Sequence, residues 1–543
     1  MFFPWRQRSI NYGQEVSAGL IVACLIIPQA IGYGLLAGLP PTLALASCVA
    51  PLAAYALFGN SRAMAIGPGA IVSLMVGQGV LGLPQEQIAL AAQSLAIMVA
   101  AILFAIRFLN LGQLVNFIGH PVIKGFTTAA AILIIYKQFN LMLAAPILET
   151  DAWHLNSAII SAVSILILIA IKTLIPSPFG KLGPLFVLIM GMAVIKWLPS
   201  LNIANIEIDS LANIFQITLP VHNSIQFYLN LLPSALLIAL LVFLESTSVA
   251  KTLAKPHQER VRPNQELMGL GSANLASYVF NGYPVSGGLG RSMVNQDAGA
   301  QSPLAGVFTA VFVLGFLLLA PNLIAYMAKP VLGAIVAVAV WSLIDMQPLY
   351  KYWRLHPQDN SIWLASFLGV FILGIELGIA LGVATSIIFL LRNAAKPHIA
   401  IIGRIPDTQH FRNIKRFNVI TYPHLLAIRI DEGLHFANRE TVENYINDAL
   451  KQHPQTQHLL LVCSAVNIID SDGIELLESL AHQARKTGIT LNLAEVKGPI
   501  MDKLHRVKIV ELIAPGKVYL STDEAFKALG EDHEAKPTAP SNE

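Results

Sequence analysis

The chain has 543 residues, 55% of them hydrophobic and only 12% charged, with a formal net charge of +3 at neutral pH. A soluble enzyme of this length carries about 25% charged residues, and so small a net charge without a basic aromatic stripe argues against a nucleic-acid partner. Repeated apolar runs instead predict a helical membrane protein that crosses the bilayer many times.

The N-terminus has no cleavable-signal layout, and Arg6 and Arg8 ahead of the first apolar run favour a cytoplasmic start. Apolar segments lie near 16–36, 42–58, 67–83, 88–106, 114–136, 157–175, 184–198, 230–250, 267–280, 287–296, 304–326, 330–344, 361–374 and 376–391. Several are too short to span ~30 Å of hydrocarbon at ~1.5 Å per residue. The first carries Gln29 and Tyr33, which share a helix face. Segments 64–83 (MAIGPGAIVSLMVGQGVLGL) and 283–296 (YPVSGGLGRSMVNQ) each begin extended, pass through glycine or proline, and continue as helix-compatible sequence. Broken helices at matching positions of two halves point to a transporter binding site.

Glu245 sits inside the run LLPSALLIALLVFLESTSVA (231–250). A carboxylate at mid-bilayer costs about 2.5–3.5 kcal/mol on insertion scales, so it is read as part of a substrate or proton pathway, with helix–helix glue as the bland alternative. Gln29 precedes Gly67 by 38 residues and Glu245 precedes Ser286 by 41. The same order therefore occurs twice, as an inverted repeat requires. Lys251, Lys255, Arg260, Arg262, Lys351, Arg354, Arg392 and Lys396 are placed inside, and the 199–228 connection outside. His120 and Lys124 read as surface, Lys172 as a snorkelling lysine, and Glu376 as structural at a short turn.

Residues 1–400 hold 13 of the 32 acids and the last 143 residues hold the other 19. The expected domains are a membrane unit over 1–400, a small α/β domain over 408–530 and a disordered tail over 531–543. Strands are predicted at 421–430, 458–466 and 489–496, and helices at 440–452, 473–488 and 521–529. Cys24, Cys48 and Cys463 have no metal or disulfide spacing, and no HExxH, Walker loop or Cys/His cluster proposes an enzyme or a cofactor.

IPQAIGYGLLAGLPP (27–41), LFGNSRAMAIGPGAIVSLM (57–75), GSANLASYVFNGYPVSGGLGRSMVN (271–295), LHFAN (434–438) and CSAVNIIDSDGIELLESL (463–480) together resemble the sulfate permease (SulP) anion transporters with their STAS domain. The resemblance implies about 14 transmembrane segments in two inverted repeats of seven, a core domain moving against a gate domain, and a homodimer in a bacterial-type inner membrane with the STAS domain cytoplasmic. It implies an anion held between two half-helix tips, Gly67-Pro68-Gly69-Ala70 and Gly287-Gly288-Leu289-Gly290-Arg291, with Gln29 and Tyr33 beside it. Helix N-termini suit this use because their unpaired N–H groups carry about half a positive charge.

Arg291 is read as the cation that attracts or ligates the anion, or else as the partner of a nearby carboxylate. Gly290 stands where the family often has serine. Glu245 stands at the family's acidic position, so its protonation would couple anion entry to protons. Sodium, with Ser246 and Ser248, is the other coupling ion. Proton-coupled sulfate uptake is the leading expectation. Bicarbonate or C4-dicarboxylate transport, an anion channel, and a scaffold whose STAS domain recruits a soluble partner are the alternatives. In the tail, Asp470-Ser471-Asp472-Gly473 puts Asp472 where related domains have a phosphorylated serine, which disfavours such a switch and leaves Asp472 as a candidate helix cap.

Overall fold

The computed structural model describes residues 11–113, 119–146, 153–175, 179–206, 222–350, 356–530 and 536–538. They form two compact units, Met1–Ser386 and Ile387–Glu543.

The first unit is helical and reads as two passes of one pattern. The first pass is α1 (Tyr12–Leu36), a broken second segment α2 (Pro41–Ala46) and α3 (Ala50–Phe58), a short strand β1 (Ile66–Gly67) leading into α4 (Ala70–Gly79), then α5 (Gln85–Phe108), α6 (His120–Leu143), α7 (Leu155–Leu174) and α8 (Gly183–Trp197). The second is α9 (Ile225–Ala254), α10 (Pro263–Val279), β2 (Ser286–Gly287) leading into α11 (Leu289–Asp297), α12 (Leu304–Leu319), α13 (Lys329–Trp341), a short α14 (Gln347–Tyr350), α15 (Pro357–Leu373) and α16 (Ile375–Ala395). Counting α2 with α3 and setting α14 aside, each pass has seven segments, the third being a strand and a half-helix. The segments too short to span are therefore real elements. Where they break, the carbonyls and N–H groups that an unbroken helix would pair are freed at membrane depth.

Packing follows the same symmetry. α1 lies on α12 while α9 lies on α5, and α3 lies on α12 while α10 lies on α5. α6 packs on α15 and α7 on α13 in the same crossed fashion. One bundle is thus α1–α5 with α9–α12, and the other is α6–α8 with α13, α15 and α16. Small residues let the backbones close up. A Cβ on Gly269 would come within 2.6 Å of the Gly59 Cα, and one on Gly125 within 2.4 Å of the Trp363 carbonyl oxygen. The outer faces of α7, α8, α15 and α16 carry exposed Ile159, Leu166, Phe186, Ile189, Phe371, Ile372, Leu377 and Leu381, the signature of a lipid-facing surface.

The second unit is an α/β domain. Its sheet contains β3 (Ile399–Arg404), β4 (Phe411–Asn413), β5 (Val419–Thr421), β6 (Leu425–Ile430), β7 (His458–Val462), β8 (Thr490–Ala494), β9 (Val518–Tyr519) and β10 (Lys536–Thr538). The order is β10-β5-β3-β6-β7-β8-β9, with β4 paired to β3 and the β6 to β9 run parallel. Helices α17 (Arg439–Gln452), α18 (Ser471–Lys486), α19 (Gly498–Arg506) and α20 (Ile509–Leu512) cover one face, and α21 (Thr522–Gly530) covers the other.

Three expectations differ from these elements. The compact division falls at residue 386 rather than 400, and β3 already belongs to the second sheet, ahead of the expected start at 408. IAIIG follows the last helix after only three residues, Lys396-Pro397-His398, and is as apolar as the span before it, so it reads as a continuation of the membrane unit rather than the start of a sheet. Residues 536–538 of the tail expected to be disordered pair with β5. Backbone hydrogen bonds at a sheet edge need no apolar side chains, so a polar composition does not forbid them. The cap of α18 is Asp470, not Asp472: its carboxylate accepts from Gly473 N at 2.9 Å and from Phe436 N at 2.9 Å.

Candidate anion site

The two broken segments meet in the first unit. β1 and β2 pair antiparallel, with Ile66 opposite Gly287 and Gly67 opposite Ser286. Each strand then turns into its half-helix, α4 beginning three residues past Gly67 and α11 two residues past Gly287. Gly69 and Gly288 are the N-cap residues of α4 and α11, both in extended backbone, and no side chain caps either start. Two positive helix ends therefore face one small region.

Neighbouring polar groups fix this geometry. Asn274 on α10 holds Val285 from both sides, accepting from its N–H at 3.0 Å and donating to its carbonyl at 3.1 Å. Ser292 Oγ accepts from Ala65 N at 3.0 Å, and Asn295 donates to the Ala63 carbonyl at 3.0 Å, tying α11 to the strand that precedes α4. Ser246 Oγ accepts from Gly287 N at 2.9 Å, and Glu245 accepts from Ser286 Oγ at 3.3 Å. Glu245 is half-buried, at the point where α9 meets β2.

Arg291 is 3% exposed. Its guanidinium reaches from α11 to the opposite tip, donating from Nη1 to the Pro68 carbonyl at 2.5 Å, and from Nη2 to the Ser286 carbonyl at 3.5 Å. Nε is buried with no hydrogen-bond partner. Among the described residues Arg291 makes no ion pair within 4 Å; its hydrogen bonds go to backbone carbonyls, and Glu245 meets the other side of Ser286. A buried cation with an unused donor is what an anion site offers before its ligand arrives.

A cavity of about 390 Å³ opens beside the α11 tip. Gln29, Lys172, Gly290, Arg291 and Ser342 supply its polar lining, and apolar residues of α1, α7, α8, α11 and α13 supply the rest. It lies between the two bundles.

The expected residues separate here. Gln29, Gly290 and Arg291 line the cavity, while Gly67, Pro68, Gly69, Ala70, Gly287 and Gly288 build the paired tips. Leu289 is the first residue of α11 and is exposed. Tyr33 is 7% exposed and packs in the main apolar core rather than on the cavity. Close approach requires glycine at Gly69, where a Cβ would lie 2.6 Å from Ser286 Oγ. Ser246 is engaged with Gly287 N, the use that a serine in a membrane helix most often finds, and Ser248 is exposed. Sequence reading missed Lys172 as a lining residue, and it missed the bracing by Asn274, Ser292 and Asn295. The signal available was a cluster of small polar residues around the second broken segment, which only the fold turns toward the first.

Crossed seven-segment repeats with two uncapped half-helices at one point, followed by an α/β domain, define a membrane anion transporter of the inverted-repeat type. Comparison makes the assignment specific. The chain belongs to the sulfate permease family, whose model matches residues 13–366, and it carries a STAS domain, matched over 416–525. It is 31% identical over 549 residues to sulfate transporter 4.1, chloroplastic, of Arabidopsis thaliana, covering 94% of this chain and 79% of that one. The murine Solute Carrier 26 family member A9 anion transporter in the inward-facing state superposes with a TM-score of 0.88 at 22% identity, over 97% of this chain and 94% of that one. The transmembrane domain of a cyanobacterial bicarbonate transporter, BicA, superposes with a TM-score of 0.59 at 20% identity, over 70% of this chain and 98% of that one.

Proposed function

We propose that the chain is a proton-coupled sulfate transporter working by alternating access, with the anion held between the tips of α4 and α11. The observation that carries this reading is the Arg291 guanidinium: buried, bonded across to the opposite tip, and left with an Nε that no described residue hydrogen-bonds. Its relatives' names supply sulfate as the anion. Glu245 supplies the coupling. Ionised, it places a negative charge one hydroxyl away from the β2 backbone and opposes an incoming anion; protonated, it does not. Anion and proton then bind together, and neither is favoured alone.

The direction of access follows from helix polarity. Spans alternate in direction, so the C-terminal ends of α7 and α13 lie on the same side as the basic end of α9, with Lys251 and Lys255. The cavity is lined by those ends, through Lys172 and Ser342. At the opposite side Ser234 of α9 donates to Glu376, in the first turn of α16, joining the two bundles. A site closed outside and reachable from the basic side is an inward-facing arrangement. We place that side in the cytoplasm of a bacterial-type cell, with the N-terminus and the STAS domain there. A homodimer, and a soluble partner for the STAS domain, complete the proposal.

The test is uptake of radiolabelled sulfate into proteoliposomes with and without an inward proton gradient. Wild type should accumulate sulfate only with the gradient. Glu245→Gln should lose gradient-driven accumulation while keeping sulfate exchange. Gradient-independent uptake unchanged by the mutation would leave Glu245 as helix-packing polarity.

A further inference from the structure

Lys172 lies in the last turn of α7, where a lysine serves the helix end by charge alone. Its position does more than that. It lines the same cavity as Gln29, Gly290 and Arg291, and no aspartate or glutamate is among the described lining residues. The two cations belong to different bundles: Arg291 to α11, and Lys172 to α7. Arg291 is buried and already committed to Pro68, whereas Lys172 is exposed, and no described acid forms an ion pair with it. A cavity whose charged lining is of one sign concentrates counter-ions inside it, the more so for low-dielectric walls such as the Leu25, Leu168, Ile335 and Val338 side chains here.

We infer that Lys172 is a second, gate-borne cation for the transported anion: it meets the anion at the cavity mouth and shares its charge with Arg291. This inference rests on the anion-site reading above, but not on sulfate being the anion. It has a consequence for selectivity. One cation suffices for a singly charged anion, whereas two cations on opposite walls favour a doubly charged oxyanion such as sulfate. As the bundles move, the pairing made by Lys172 changes while the Arg291 pairing does not, so Lys172 governs loading and release from the basic side.

The experiment is anion-dependent thermal stabilisation of the purified full-length protein in detergent, titrated separately with sulfate, bicarbonate and fumarate at constant ionic strength. For whichever anion stabilises wild type, Lys172→Gln should need about tenfold more, the effect of one partly solvated charge, and Lys172→Arg should titrate like wild type. Equal midpoints for Lys172→Gln and wild type would overturn the inference. A wild type stabilised by bicarbonate or fumarate but not sulfate would overturn the sulfate assignment and leave Lys172 tested on the anion that binds. Stabilisation by none of the three would overturn the inference together with the anion site. A Lys172→Cys variant guards against a packing effect. Attaching an aminoethyl group to the thiol should restore the midpoint, and attaching a neutral hydroxyethyl group should not. Restoration by both would assign Lys172 a steric role.

Discussion

Two kinds of helix start occur within the same membrane unit. The start of α12 is closed by the chain itself: the fully buried Glu15 of α1 accepts from Gln301 N at 2.9 Å and from Ala305 N at 3.0 Å, and Ser302 Oγ accepts from Leu304 N at 3.3 Å. The starts of α4 and α11 have no side-chain cap; the Arg291 cation reaches across between them, and the nearby Glu245 carboxylate meets the Ser286 hydroxyl rather than a helix N–H. A buried helix start needs an acceptor from somewhere. The chain aims a carboxylate at the N–H groups of α12, whereas at the paired tips Glu245 reaches only the Ser286 hydroxyl, so the N–H groups of α4 and α11 are left for an anion that comes and goes. The contrast separates a structural carboxylate from a transported anion by whether it is tethered.

The largest effect should come from altering the untethered side. Arg291→Met keeps the length of the side chain but removes the guanidinium, leaving the Pro68 carbonyl without its partner and the anion without its buried cation. Losing one charged hydrogen bond of this kind is worth about 2–3 kcal/mol, so sulfate uptake should fall roughly 100-fold. Thermal unfolding without anion, measured alongside, distinguishes loss of the site from loss of the fold. Uptake within threefold of wild type would make Arg291 a tie between the tips and nothing more.

Altering the tethered side should give the opposite profile. Glu15→Ala leaves Gln301 N and Ala305 N without their acceptor, at a cost of about 1–3 kcal/mol for unsatisfied buried donors. The unfolding midpoint should drop, and the sulfate midpoint in the binding titration should stay where it is. A variant that keeps its stability but loses sulfate affinity would erase the distinction between the two kinds of start.

Much of this contrast was legible in the sequence, and some of it could not be. The existence and order of the fourteen apolar segments, the two glycine-broken segments and the acid of α9 follow from periodicity and from where polar residues interrupt it, although α6 ends seven residues beyond the expected 114–136. Those are local signals. What Arg291 does with its charge is not local. Its partner, Pro68, lies 223 residues away, and only the antiparallel pairing of β1 with β2 brings them together. Gln29 and Tyr33 show the same limit. They sit one turn apart on α1, yet Gln29 lines the cavity and Tyr33 packs into the core, a division set by what neighbouring helices cover. Lys172 read as an interfacial lysine because helix-end position is visible in sequence and cavity lining is not. In the STAS domain, the choice between Asp470 and Asp472 as cap turned on two residues of register, finer than a turn signal resolves.

That register gives the smallest effect, on a helix start closed by a tethered carboxylate outside the membrane. Slight burial raises the Asp470 pKa, but the N–H groups of Gly473 and Phe436 outweigh it and hold the carboxyl below its usual value. A depressed folded value means that the ionised cap stabilises the domain above the unfolded value of about 3.9, and that this stability is lost as pH falls through the folded value. Asp470→Ala should therefore lower the protection of the α18 amides in the full-length protein by about 1 kcal/mol at neutral pH, the ordinary worth of an N-cap, and by progressively less under acid. Asp472 points instead toward Arg439, at 3.5 Å on an exposed surface, where Glu475 also reaches the same guanidinium at 2.6 Å. Solvent screens exposed pairs of this kind, and Glu475 remains on the same guanidinium, so Asp472→Ala should leave α18 protection nearly unchanged. Equal loss in both variants, measured by hydrogen exchange, would return the cap to Asp472.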